Sequence, residues 1–354
     1  MCFGHKLIVI FFASLFSTYL VIWLARLLRL GIDAVKGKRH CTHKCPVPRL
    51  GGVGIFVGFV AGYHLFGLQF ISPRLMLCVA LPFLLGLAED FMQRLSANFR
   101  FLMMALISLT TVFLVSDLLV YSVGVDLPVY VAVPLTILAF TGLANAMNMI
   151  DGFNGLSAGI SIMAFAGLAV VSYLHYQQGI FTTSLTMLFS IAGFAVLNFP
   201  GGRVFLGDGG AYFIGFVLAF LSSLLVNRSV GTISPWFPVA LMLYPITDTL
   251  FSIYRRRVLK GRKAFAADLL HMHSLVYKRV ARKNHLTSLY VLLFNLPFTV
   301  FSVLLYRNTP GLMVLCGFYC LCYVTLYMAI VNFRIKRVIG NPMLPADGEG
   351  IKLL

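Results

Sequence analysis

Acidic side chains are scarce in this sequence, and where they stand makes several of them candidates for chemistry. There are 11 Asp and Glu in 354 residues. Six lie in or beside apolar runs: Glu89 and Asp90 in LGLAEDF, Asp151 in NAMNMIDGFNGL, Asp208 in FLGDGG, Asp248 in YPITDTL and Asp268 in DLLHMH. A carboxylate near hydrocarbon is costly unless a cation or hydrogen bonds compensate it, so such residues are functional candidates. Hard oxygen ligands without a His/Cys cage suit Mg²⁺, which keeps waters and binds through one or two carboxylates plus substrate phosphates. That points to phosphate chemistry. Gly152 and Gly155 follow Asp151, and Gly207, Gly209 and Gly210 bracket Asp208, so backbone N–H groups at helix starts can approach an anion. Asn145, Asn148 and Asn154 add amides able to read a base or a sugar. Helix caps and ion pairs with Arg94, Arg203 or Arg255 are the plainer alternative, and it weighs most at Asp248 and Asp268.

Other polar clusters say less. His271 and His273, two residues apart, point to different faces of a helix, which argues against a shared metal. The cationic run Arg255, Arg256, Arg257, Lys260, Arg262 and Lys263 can clamp phosphates or simply mark topology. His40, Cys41, His43 and Cys45 are too crowded for zinc spacing and sit beside Arg39 and Lys44. Asp33, Asp117, Asp126, Asp347 and Glu349 read as solvated charge. Cys316, Cys320 and Cys322 read as packing, and no disulfide framework is implied.

The elements that carry these residues are membrane helices. Apolar residues make up 60% of the chain and charged residues 11%, against roughly 25% charge in soluble domains. The expected fold is all-α and polytopic, with about eleven spans near 7–25, 51–69, 75–91, 101–120, 128–146, 156–176, 183–199, 211–226, 235–254, 287–305 and 311–333. With the N-terminus outside, 24 of 28 Lys and Arg fall in cytoplasmic segments and four, Lys6, Arg74, Arg228 and Arg307, on the other side. This asymmetry puts the C-terminus in the cytoplasm. The net charge of +17 is therefore topological rather than a sign of nucleic acid, with anionic headgroups or phosphates as its partners. The same topology puts all six candidate acids on the cytoplasmic side. The first span is too long for a cleaved signal and lacks a small-residue cleavage site. One integral domain, 1–340, and a short tail, 341–354, complete the organisation. Gly54, Gly58 and Gly62 share one helical face and predict close helix packing, and 268–283 predicts an amphipathic helix lying in the membrane interface.

The five ordered motifs HKCPVPRLGG (43–52), LGLAEDF (85–91), NAMNMIDGFNGL (145–156), FLGDGG (205–210) and DLLHMH (268–273), the last following DTLFSIYRRR (248–257), resemble the polyprenyl-phosphate N-acetylhexosamine-1-phosphate transferases. That superfamily also contains phospho-N-acetylmuramoyl-pentapeptide translocase. The resemblance implies transfer of a sugar 1-phosphate from a UDP-N-acetylhexosamine to undecaprenyl phosphate, releasing UMP, with Mg²⁺ as cofactor and Mn²⁺ as a substitute. By position, it makes Asp208 the magnesium aspartate. Glu89 and Asp90 become the acidic pair that deprotonates the lipid phosphate or attacks directly. Asn148, Asp151 and Asn154 fall in the nucleotide-sugar segment, and His271 and His273 near the phosphates and sugar. His43, Lys44 and Arg49 belong to a phosphate-facing first motif. A bacterial inner-membrane location and a homodimer fit this picture.

Three positions depart from the common pattern. Glu89 stands where many members have Asp, so the base could be Glu89 or Asp90. Asn154 replaces a common second Asp, and Ser274 a further His. The last two favour a relative that starts O-antigen, capsule or another surface glycan. A transporter using cytoplasmic-side carboxylates for coupling is the competing expectation.

Overall fold

The computed structural model describes residues 2–28, 47–67, 73–259 and 270–339, with side chains at 73, 74, 259 and 332–339 left out. Its helices are α1 (Phe3–Leu28), α2 (Gly51–Phe66), α3 (Pro73–Met92), α4 (Ala97–Leu114), α5 (Val129–Ile150), α6 (Leu156–Leu174) and α7 (Gln178–Asn198). They continue as α8 (Gly207–Arg228), α9 (Trp236–Leu241), α10 (Leu243–Tyr254), α11 (Met272–Val276), α12 (Asn284–Leu304) and α13 (Thr309–Ile339). Between its terminal charges, Asp208 and Arg228, α8 carries only uncharged side chains, mostly apolar or small. Such a helix has no face for water or headgroups and is covered by lipid or by protein; here protein covers it. Residues 207–222 are all buried, and α2, α3, α5, α6 and α7 pack around them.

Nine helices among the described residues are long and apolar enough to cross a membrane. Two of the eleven expected spans fall short of that length. One is α2, at 16 residues. The other, 235–254, breaks at Met242 into α9 and α10. Pro245 has no N–H to give the Leu241 carbonyl and its ring crowds that carbonyl. The chain answers with φ −111° and ψ 29° at Met242, whose N–H turns back to the Pro238 and Val239 carbonyls.

The glycine stripe on α2 behaves as its spacing predicts. A Cβ at Gly58 would stand 2.6 Å from Ser190 Oγ on α7, one at Gly62 would stand 2.8 Å from Thr186 Oγ1, and one at Gly54 would collide with Thr18 of α1. The apolar side chains of 270–283 do not lie in an interface. Met272, Leu275 and Val276 are buried in the core beside α12 and α13, and only Val280 is exposed. Helical periodicity reports a buried face without saying whether lipid or protein covers it, and here protein does.

Backbone meets backbone where α2 and α3 touch the start of α8. A Cβ at Gly52 would strike the Gly210 backbone, and one at Gly86 would strike the backbone of Asp208 and Gly209. The N–H groups of Gly51 and Gly52 donate to the carbonyls of Phe205 (2.9 Å) and Leu206 (2.8 Å), which satisfies the first turn of α2. Gly86→Ala should therefore destabilise the purified protein by about 1–3 kcal/mol. Gly142→Ala, where a Cβ meets nothing within 4 Å, should leave its melting temperature unchanged or higher. Equal melting temperatures for the two variants would remove this contact from the account.

Candidate active site

The site begins with Asp90, at the end of α3. Its Oδ1 accepts the Asp208 N–H (2.9 Å) and its Oδ2 the Gly209 N–H (3.0 Å). A carboxylate from one helix thus caps the N-terminus of another, where orphan donors and the helix dipole both favour an anion. Gly207, at φ +79°, makes the approach possible. A Cβ there would lie 2.6 Å from Asp90 Oδ2 and would strike the Arg49 carbonyl.

Asp208 leaves that capped turn with its carboxylate pointed elsewhere. It pairs with Arg100 Nη1, which also lies 3.8 Å from Glu89 Oε1. Arg100 reaches both because Ser96 caps α4 by accepting the Phe99 N–H (3.2 Å), one residue ahead of it. Glu89 Oε2 accepts the Leu95 N–H (2.9 Å). On the other flank Asn148 Nδ2 stands 3.5 Å from the Tyr212 hydroxyl and next to Asp208.

Asp151 closes the cluster from the end of α5. It feels Arg49, Asp208 and Asp90 and faces the Gly207 N–H. Part of its surface stays accessible, yet enclosure by protein pushes its carboxyl up to about 7. Arg49 opposes that shift, and the neighbouring carboxylates reinforce it. Arg49 itself is fixed between Pro48, whose carbonyl accepts the Phe205 N–H, and the Gly51–Phe205 bond. Glu89, Asp90, Asp151 and Asp208 therefore share one pocket with Arg49 and Arg100.

The histidine pair adjoins it. The rings of His271 and His273 stack with centroids 5.3 Å apart, 7° from parallel. His273 Nδ1 lies 2.9 Å from the Tyr244 hydroxyl, and its Nε2 would be 3.6 Å from a Cβ at Gly152. Burial lowers His273 to about 4 against the pull of Asp248, so its imidazole is neutral at physiological pH. Among the described residues no three His, Cys, Asp or Glu gather closely enough to cage an ion by themselves. Asp208 does offer the hard carboxylate oxygens that Mg²⁺ takes alongside water and phosphate.

Residues 73–226 match the profile of glycosyl transferase family 4. A Bacillus subtilis protein, a probable undecaprenyl-phosphate N-acetylglucosaminyl 1-phosphate transferase, is 31% identical over 275 residues, 76% of this chain and 76% of its own. The chain belongs to glycosyl transferase family 4. An undecaprenyl-phosphate alpha-N-acetylglucosaminyl 1-phosphate transferase of Salmonella typhi is 29% identical over 75% of this chain and 74% of its own. A phospho-N-acetylmuramoyl-pentapeptide-transferase of Staphylococcus carnosus is 26% identical over 67% of this chain and 79% of its own. Membership makes the protein a multi-pass membrane transferase, and the transporter expectation finds no support among these relatives.

Within this family member the remaining candidates are placed as follows. His43, Lys44 and Asp268 lie outside the described residues. Asn145 bonds the Thr141 carbonyl of its own helix (2.8 Å) and lines an apolar cavity beside the acid cluster. Asn154 is a fastener: its N–H donates to Asn284 Oδ1 (2.6 Å) and its Nδ2 to the Pro200 carbonyl (3.0 Å). Arg255 is buried, with Nη1 on the Leu270 carbonyl (2.5 Å) and on the Tyr327 hydroxyl, so it ties the histidine segment to α13. Sequence reading missed Arg100 as a site residue by counting it only toward topology. Its signal was an opposite charge eleven residues after Glu89, across a connection too short to carry it away.

Asp90→Asn should cost about 1–3 kcal/mol, because one amide face would meet a backbone N–H head on. Glu89→Gln, which keeps its acceptor for Leu95, should not. Thermal unfolding of the detergent-purified variants reads the difference, and an Asp90→Asn protein as stable as wild type would take the helix-capping role away from Asp90.

Proposed function

We propose that the protein transfers an N-acetylhexosamine 1-phosphate from a UDP-sugar to undecaprenyl phosphate. The products are UMP and an undecaprenyl diphosphate-sugar that starts a surface glycan. The observation that carries this reading is the gathering of four carboxylates and two arginines around the start of α8, with the histidine pair beside them at Gly152. Both named N-acetylglucosaminyl relatives make UDP-N-acetylglucosamine the first donor to test. The Lys and Arg distribution supports a cytoplasmic site in a bacterial inner membrane.

In the reaction an oxygen of the lipid phosphate forms a bond to the sugar-bearing phosphorus. The bond from that phosphorus to the bridging oxygen breaks, and its electron pair leaves on UMP. One diphosphate replaces another, so catalysis rests on alignment and charge rather than bond energy. Four carboxylates against two guanidinium groups leave the pocket short of positive charge. Asp208 would hold Mg²⁺, or Mn²⁺ in its place. The bound ion would supply the missing charge opposite the two phosphoryl groups. Arg49 and Arg100 have the guanidinium geometry to grip phosphoryl oxygens, and His43 and Lys44 fit the same task. Asp90 has both oxygens engaged by α8, so Glu89 is the better base for a protonated lipid phosphate.

The acceptor chain has a berth in this scheme. A cavity of about 1090 Å³ between α5, α8, α9 and α10 is walled by side chains such as Leu135, Val239 and Ile246. Leu138 and Leu250 on its wall are 59% and 61% exposed, so it opens sideways toward lipid. Asn145 and Met149 line the end within a helical turn of Asn148 and Asp151.

Purified protein given undecaprenyl phosphate and a panel of UDP-sugars should release UMP with one N-acetylhexosamine donor, and chelation of divalent ions should stop it. Asp208→Asn should lower the rate at least about 100-fold while the protein still purifies intact. Near-normal turnover in that variant would remove the metal role, and transport of sugar into sealed vesicles without UMP would overturn the reaction.

A further inference from the structure

Asp248 is absent from the acid cluster, yet it is fully enclosed at 0% exposure, midway along α10. Both oxygens are engaged. Oδ1 accepts the Tyr323 hydroxyl (2.7 Å) from α13 and the Met272 N–H (3.0 Å), and Oδ2 meets His271 Nδ1 at 2.6 Å. Ser252 Oγ stands 3.1 Å from the same nitrogen. An ionised carboxylate only accepts, so the hydrogen of the imidazole is held on Nδ1. One turn earlier on the same face of α10, Tyr244 engages Nδ1 of the stacked His273. Two residues four apart on one helix thus take the Nδ1 atoms of two parallel rings. The Nε2 atoms lie on the opposite side of those rings, and that of His273 is beside Gly152.

We infer that Asp248 is a positioning residue for the transfer: with Tyr323 and the Met272 N–H it fixes His271 in the Nδ1–H form and aims Nε2 at the phosphates of the donor beside the Asp151–Gly152 turn. This rests on the transferase reading given above. An amide at 248 would present Nδ2–H to Nδ1, impose the opposite tautomer and turn the ring's lone pair away from its task. The same substitution beneath a catalytic histidine is costly in hydrolases for that reason.

The test compares steady-state UMP release by full-length wild type, Asp248→Asn, His271→Gln, the double variant and Tyr323→Phe. Asp248→Asn should lower kcat about 10- to 100-fold with the KM for the UDP-sugar within about threefold, and the double variant should be no slower than His271→Gln alone. Losses that multiply in the double variant, or a kcat at the wild-type value in Asp248→Asn, overturn the inference. If Asp248→Asn does not purify as a folded protein, Tyr323→Phe carries the test, with kcat down at least about threefold and KM unchanged. An unchanged kcat there overturns it. Wild-type protein that releases no UMP from any UDP-sugar overturns the transferase reading, and this inference falls with it.

Discussion

The arrangement of the site hangs on one contact, the Asp90 carboxylate laid across the first N–H groups of α8. That bond joins helices whose contributing residues are 118 apart in sequence, and it does so at the point where Gly86, Gly207 and Gly209 let the backbones close up. With the cap supplied by a neighbouring helix, Asp208 does not have to fold back to cap its own helix. Its carboxylate projects into the pocket instead, toward Arg100. Two acids that look interchangeable in sequence therefore do opposite things: one is saturated by backbone donors, and the other keeps capacity for a cation or a phosphate-bound ion.

A pocket built this way is stable only as a set. Carboxylates packed together at the edge of hydrocarbon repel one another and lose hydration, which is the state Asp151 reports through its raised carboxyl. Arg49 and Arg100 offset part of that cost, and each is delivered by a different local device, a short backbone pairing at 48–52 with 205–206 and a serine cap at the start of α4. The remaining deficit sets the electrostatic character of the site. Burial strengthens every interaction among these few charges.

Much of this was legible in the sequence, for reasons that differ by residue. Glu89, Asp90, Asp151 and Asp208 stood out because acids are rare here and each stands at an end of an apolar run, and the structure gathers all four. The glycine stripe at 54, 58 and 62 was legible because every fourth residue shares a helical face. What was hidden depended on partners distant in the chain. No local pattern says that Asp90 caps a helix, that Asn154 fastens the loop at Pro200 or that Asp248 faces an imidazole. The segment 268–283 misled because amphipathic spacing is the same whether lipid or α12 and α13 cover the apolar face. The break at Met242 was half visible in Pro238 and Pro245, but hydropathy alone runs straight through it.

The helix that binds these parts into one machine is α5. Its residues Leu138, Ala139, Gly142, Asn145 and Met149 line the lipid-facing cavity. Asn148, three residues beyond Asn145, faces Tyr212 and Asp208, and Asp151 ends the helix in the acid pocket. One rigid element therefore presents an apolar face to the cavity and a polar end to the acid cluster. Helical geometry sets the offset between them, a rotation of about 60° for every three residues. A phosphate at the head of a chain lying in that cavity would meet the carboxylates at the end of α5 without crossing open water. Gly142, which has free space where a side chain would be, keeps the groove wide at its middle. Cavity and acid cluster are thus joined through the same helix, and neither needs a separate scaffold.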